Sequence, residues 1–175
     1  WAPQAYLKAS NANGGDRFGR SVAISDDTIV VGADTESSNQ TTITNGSGAS
    51  SNNTSSASGA AYVFKRTGTT WSQQAYLKPP NTGDNDNFGY SVAIHGETAV
   101  VGARYEDSNQ TTITNGTTAS SDNSTADSGA AYVFVRSGST WAQQAYIKPP
   151  NPGGDDRFGS DLEIQGDTLA IAAPL

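Results

Sequence analysis

Before each of three Phe-Gly pairs lies a short loop rich in side-chain oxygen: "NANGGDRFG", "NTGDNDNFG" and "NPGGDDRFG". Asn11, Asn81 and Asn151 align across the three, as do Asp16, Asp86 and Asp156. Carboxylates gathered in a Gly-rich loop are what a calcium ion takes, because it needs about 6–8 oxygen ligands. On that reading Asp16, Asp84, Asp86 and Asp156 are the candidate ligands, with Asp155 assisting. Glu36, Glu106 and Asp107 would add oxygens from the following loops if both loop sets share one side. The same residue types also suit a local role, in which Asn and Asp bond backbone groups and hold a turn. At this point both readings stand.

A second chemistry lies in two long insertions, residues 34–58 and 104–128, each of 25 residues and dominated by Ser, Thr and Asn. Loops beyond about 12–15 residues are uncommon in compact domains and are usually functional or disordered. "SNQTTITNG" is the same at Ser38–Gly46 and Ser108–Gly116, whereas the residues after it drift. That contrast favours order, and the alternation about Thr41–Thr44 predicts a short extra strand with Ile43 and Ile113 turned inward. Asn39, Gln40, Thr42, Asn109, Gln110 and Thr112 are the candidate ligand-binding residues. Asn39, Asn45, Asn52, Asn53, Asn109, Asn115 and Asn123 each head an Asn-x-Ser/Thr sequon. Asn39, Asn45, Asn109 and Asn115 are the glycosylation candidates, although such triplets also arise by chance in a Ser/Thr/Asn loop. Trp1, Trp71 and Trp141 offer rings for sugar stacking or for covering a neighbouring sheet. His95 falls in a turn whose repeat partners are Ser25 and Gln165, so no recurrent triad includes it. Asp26 and Asp27 are adjacent turn residues pointing different ways, so no catalytic site is expected.

The elements that carry these loops repeat with a period of 70: Trp1, Trp71 and Trp141, and likewise Phe18, Phe88 and Phe158. Residues 1–70 and 71–140 align without a gap at 43 identical positions. Each unit reads as four antiparallel strands. "FGRSVAIS" and "TIVVGA" flank a two-residue turn, which is a hairpin signal. "GAAYVFKR" and "WSQQAYLK" flank a Gly-containing turn. In the last of these, Trp71, Gln73, Ala75 and Leu77 alternate with Ser72, Gln74, Tyr76 and Lys78. "PPN" ends the strand, since Pro cannot donate to a ladder. Val22, Ile24, Ile29 and Val31 would fill one face of the inner hairpin. Ala23 and Val30 leave the other face small but apolar, so both faces need cover. Radially stacked four-stranded blades supply it.

In these segments the chain resembles the FG-GAP repeat family, the blades of the integrin α-like β-propeller, and in particular its bacterial surface-protein branch. "FGRSVAI…TIVVGA", "FGYSVAI…TAVVGA", "FGSDLEI…TLAIAAP" and "SGAAYVF" with its following "W-x-Q-Q-A-Y" carry the resemblance. It implies an all-β fold of four-stranded antiparallel blades with the Phe-Gly segment innermost. It also implies that the loop before Phe-Gly and the loop after Gly-Ala share the ligand-bearing face. Integrin-type blades often place an Asp-x-Asp-x-Asp-Gly calcium loop between the first two strands. Here that place holds "SDDT", "HGET" and "QGDT", too short to wrap the ion.

About two and a half blades are expected: residues 1–9 as the outer strand of a preceding blade (Gln4–Lys8), 10–79 and 80–149 as blades with insertions, and 150–175 as the inner half of a third. This reads as a segment of a longer array, or as a unit whose open ends join copy to copy. The net charge of −7 and pI of about 4.4 argue against nucleic acid as a partner. No run approaches the roughly 18 apolar residues of a membrane span. There is no Cys, and a surplus of small hydroxyl residues. The expectation is a non-enzymatic extracellular or cell-surface segment for adhesion or ligand binding. Its partners would be neighbouring blades or further copies, and an extracellular protein or glycan; calcium is the one cofactor considered. A structural filament and, further off, a carbohydrate-active enzyme are the alternatives.

Overall fold

In a computed structural model, which describes residues 2–174, the chain is all-β, with no helix among the described residues. The first blade contains β1 (Ser21–Ser25), β2 (Thr28–Ala33), β3 (Thr44–Asn45), β4 (Ala60–Thr67) and β5 (Thr70–Leu77). The second repeats it with β6 (Phe88–His95), β7 (Thr98–Ala103), β8 (Thr114–Asn115), β9 (Ala130–Ser137) and β10 (Thr140–Ile147). The hairpin of β11 (Asp161–Gln165) and β12 (Thr168–Ala172) is the inner half of a third. Sheet order is β1-β2-β4-β5-β3, and the same in the second blade, all neighbours antiparallel.

Each blade therefore has one strand more than the four expected. The addition is the two-residue strand from the insertion, which pairs Thr44 with Tyr76 and Asn45 with Ala75 and so covers the outer edge. It begins later than the stretch Thr41–Thr44 read from alternation. The inner hairpins pair as the apolar pattern requires: Val22 with Val31, Ala23 with Val30, Ile24 with Ile29.

The simple alternation along "WSQQAYLK" does not survive. Ala75 pairs with Val63 but Gln73 pairs with Phe64, leaving Gln74 as the extra residue of a bulge. Beyond the bulge Ala75, Tyr76 and Leu77 are all buried, because neighbouring structure covers both faces there. Nor do residues 4–8 form a strand. An outer strand needs the third strand of its own blade as ladder partner, and in the repeat that strand precedes Trp1. The segment nevertheless lies where an outer strand would. Gln4 Oε1 accepts from Trp71 Nε1 at 3.0 Å, as Gln74 Oε1 accepts from Trp141 Nε1 at 2.9 Å.

Blades pack face to face, and the two faces differ. The face turned towards the N-terminus, here the leading face, is aromatic: in the second blade Phe88, Tyr132, Phe134, Tyr146 and Trp141. The trailing face is small. Val30, Ala61, Val63 and Ala75 of the first blade meet Val92 and Ile94 of the second in one core. Ala93, Val100, Ala131 and Val133 meet Leu162 and Ile164 in the next. Phe88 meets Tyr132 edge-on at 5.4 Å between ring centroids, and Phe18 meets Tyr62 at the same distance. The aromatic leading face is a repeated module.

Candidate functional site

The loops before Phe-Gly are held by their own aspartates. Asn13 N–H donates to Asp16 Oδ2 at 2.7 Å, Gly83 N–H to Asp86 Oδ2 at 2.7 Å, and Gly153 N–H to Asp156 Oδ2 at 2.6 Å. This is the local turn role, and it places the three carboxylates in three different blades. Asp84 accepts from Ser55 Oγ at 2.7 Å, and Asp155 faces Arg157 at 3.6 Å. Among the described residues no cluster of three or more acidic or His side chains is assembled that would hold a metal. Asp86 is buried in its loop, and that desolvation pushes its pKa up to about 7 against the Gly83 N–H, which favours the ionised form.

Glu36 and Glu106 are not loop-face ligands; they are interior. Lys78 Nζ reaches Glu36 Oε2 at 3.3 Å, Ser58 Oγ at 2.9 Å and the Gly59 carbonyl at 2.6 Å. Lys148 repeats this on Glu106, Ser128 and Gly129 at 2.8, 2.7 and 2.7 Å. The second oxygen of each glutamate takes an amide from the loop before Phe-Gly, Asn11 Nδ2 at 3.1 Å or Asn81 Nδ2 at 2.9 Å. Those asparagines in turn accept from Tyr62 and Tyr132 hydroxyls at 2.6 and 2.8 Å. One buried ion pair thus ties together the outer strand, the insertion and the loop before Phe-Gly. Sequence reasoning missed it, although Glu36/Glu106 and Lys78/Lys148 are identical at the 70-residue period.

The insertions are ordered by hydrogen bonds that span them. Ser55 N–H donates to the Ser37 carbonyl at 2.9 Å, and Ser58 Oγ to the Ser38 carbonyl at 2.8 Å. Gln40 Nε2 donates to the Thr42 carbonyl at 2.6 Å and to Thr44 Oγ1 at 2.8 Å, and Gln110 does the same with Thr112 and Thr114. The two glutamines, named as ligand contacts, are thus spent on loop shape. Asn39, Thr42, Asn109 and Thr112 remain exposed.

Asn45 has a different role. Its side chain receives Trp141 N–H at 2.7 Å and donates to the Trp141 carbonyl at 3.2 Å, pairing the insertion with the next blade's outer strand. Asn115, its equivalent, makes no such bond, and the described residues include no outer strand of a third blade. The same absence corrects the expectation for Ile113. Ile43 packs on the inter-blade core, while Ile113 is 58% exposed.

Trp141 is 1% exposed and covers the adjoining blade, so its ring is not offered to a sugar. Trp1 lies outside the described residues. His95 is exposed at the β6–β7 turn.

Two features of the loop face have binding chemistry. One is a polar cleft in the first blade, where Asn13, Gly15 and Asp16 face Thr35, Ser37 and Asn53. The other is a row of planar groups at the Phe-Gly end. Arg20 lies over Tyr90 at 4.2 Å, Arg104 over Tyr90 at 3.7 Å and over Tyr105 at 4.2 Å, and Arg157 over Tyr105 at 5.5 Å. Asp34, buried below, faces Arg17 at 3.7 Å and Arg20 at 3.6 Å. The row presents guanidinium and phenol groups for stacking and hydrogen bonding. Its members sit at repeat-equivalent positions but change residue type from copy to copy, Arg20 to Tyr90, Asp34 to Arg104 and Thr35 to Tyr105, so the period gave no signal for it.

Four-stranded antiparallel units, innermost strand first, packed aromatic face on small face, define a protein built of β-propeller blades. The model of the FG-GAP repeat matches residues 1–64 and again 71–134, and the chain belongs to that family. No curated protein matches it in sequence.

Proposed function

We propose that the chain is a non-enzymatic, extracellular ligand-binding segment that works in adhesion, presenting its loop face to a protein or glycan on another surface. The observation that supports this is the fixed, repeated display of that face. Exposed Asn39 and Thr42 recur as Asn109 and Thr112 on insertions whose hydrogen bonds also recur. Rigid repetition suits weak contacts that add through effective concentration. Calcium is not part of the proposal, because the candidate carboxylates are taken up by turns and ion pairs. Glycosylation is compatible with Asn39, Asn109 and Asn115; at Asn45 it competes with the bond to Trp141.

A glycan array and a panel of immobilised extracellular-matrix proteins test the reading. A ligand retained by the native chain should be bound at least tenfold more weakly by the Asn39→Ala/Asn109→Ala/Thr42→Ala/Thr112→Ala variant. Retention by the variant at full strength would move the site elsewhere. Assembly end to end has one observation in its favour, the exposed apolar leading face of the first blade.

A further inference from the structure

Among the contacts by which each blade accepts the next, one recurs at the inner hairpin. Gly89 and Gly159 have φ of +86° and +88°, which turns their carbonyls back towards the blade before. Ser21 Oγ donates to the Gly89 carbonyl at 2.8 Å, and Ser91 Oγ to the Gly159 carbonyl at 2.6 Å. Opposite these serines in the hairpin stand Gly32 and Gly102. A Cβ on Gly32 would lie 1.9 Å from the Gly89 oxygen, and on Gly102 2.1 Å from the Gly159 oxygen. Backbone occupies that space, so neither position admits a side chain. Ala23 and Ala93 complete the seat, small against Val92 and Ile94 in one case and against Leu162 and Ile164 in the other.

The third hairpin keeps this backbone and changes all three side chains. Asp161 pairs with Ala172 as Ser21 pairs with Gly32. Gly159 N–H donates to the Ala172 carbonyl at 3.0 Å, as Gly19 N–H does to Gly32 at 3.0 Å. The repeat places Asp161 at the serine, Glu163 at the alanine and Ala172 at the glycine. The Ala172 methyl occupies the space where a following carbonyl would sit. An ionised Asp161 carboxylate accepts hydrogen bonds and donates none, so it repels that carbonyl. Glu163 sets a charge where a methyl was buried, at the cost of desolvating it.

We infer that the β11–β12 hairpin closes the stack. Its leading face seats on the second blade as an ordinary blade does, and its trailing face takes no further FG-GAP blade. Copies of the chain therefore do not join trailing face to leading face, although Val22 and Ile24 of the first blade are open to such a partner. That open face is a receptor for a blade carrying Ser, Ala and Gly at the three positions. This rests on the blade architecture and is independent of the adhesive reading.

Light scattering on the full chain across a hundredfold concentration range tests it. The native chain is expected to hold the monomer mass throughout. Asp161→Ser/Glu163→Ala/Ala172→Gly should at least double the average mass at the upper end, with a β-type circular dichroism spectrum retained. Adding Ile24→Asp to that variant should return it to monomer. Native oligomers that Ile24→Asp dissolves would overturn the inference. A folded triple variant that stays monomeric would overturn the role given to these three residues.

Discussion

Lys78 and Lys148 carry the most consequential single contacts of the molecule. Each is a charge in the interior, held by one carboxylate, one hydroxyl and one carbonyl. Removing one partner of such a pair strands the other, at a cost of about 3–5 kcal/mol. Lys148→Met should lower stability by that amount in urea unfolding, and Lys148→Met/Glu106→Gln should recover a large part of it. Burial pulls the Lys78 pKa down to about 8, against the opposing pull of Glu36. The folded chain then releases this proton before the unfolded chain does, so from about pH 8 towards the ordinary lysine range this residue makes stability rise with pH. The buried tyrosines act oppositely, their hydroxyls pushed up by desolvation, and limit the rise once unfolded-state phenols ionise, near pH 10. Asp86, raised to about 7, binds its proton more tightly when folded. Between the ordinary carboxylate range and about pH 7 it makes stability fall as pH rises. The expected outcome is a melting temperature that increases from pH 7 to pH 5 in the native chain, with a smaller increase in Asp86→Asn. An equal slope in both would remove Asp86 as the titrating group.

At the scale of elements, the insertion is an edge cover and a clamp, and its two copies differ in what they clamp. Asn45 makes two bonds to the Trp141 backbone; Asn115 has no such partner strand among the described residues. Asn45→Ala should cost about 1–2 kcal/mol, while Asn115→Ala should stay within about 0.5 kcal/mol, as exposed substitutions do. Equal effects in chemical denaturation would argue that Asn45 serves only its own loop. The inner hairpins are legible in the sequence, because residues paired across a two-residue turn show their alternation within a dozen positions. The bulge at Gln74 is not, since it depends on which residues of β4 lie opposite. The clamp is not either: Asn45 and Trp141 are 96 residues apart, and nothing local marks them as partners. Of the candidate site, the loops stand out by length and composition, whereas the partners of the side chains in them do not. Glu36 reads as a loop oxygen until Lys78 is known to end beneath it, and Gln40 reads as a ligand donor until it folds back on Thr42.

The whole molecule is a stack in which the same sequence has different surroundings at each step, and that separates intrinsic strand preference from packing. "SVAI" occurs at Ser21–Ile24 and at Ser91–Ile94, with the same pairing to "VVG". Val22 and Ile24 are 67% and 64% exposed, whereas Val92 and Ile94 are 9% and 8% exposed. The difference comes from the neighbour: the first blade's trailing face covers Val92 and Ile94, and no blade among the described residues covers Val22 and Ile24. Period and pattern announce apolar faces that need cover, but whether a given copy receives it depends on its place in the stack. Ile94→Asp should therefore be severe, because it removes a packed side chain and buries an unpaired carboxylate between blades, costing more than about 3 kcal/mol. Ile24→Asp should change stability by less than about 1 kcal/mol, and should weaken the binding of an apolar dye such as ANS to the native chain. Urea unfolding of the two variants side by side is the decisive comparison. If both lose stability equally, the leading face of the first blade is already covered in solution, and the open stack described here is not the species present.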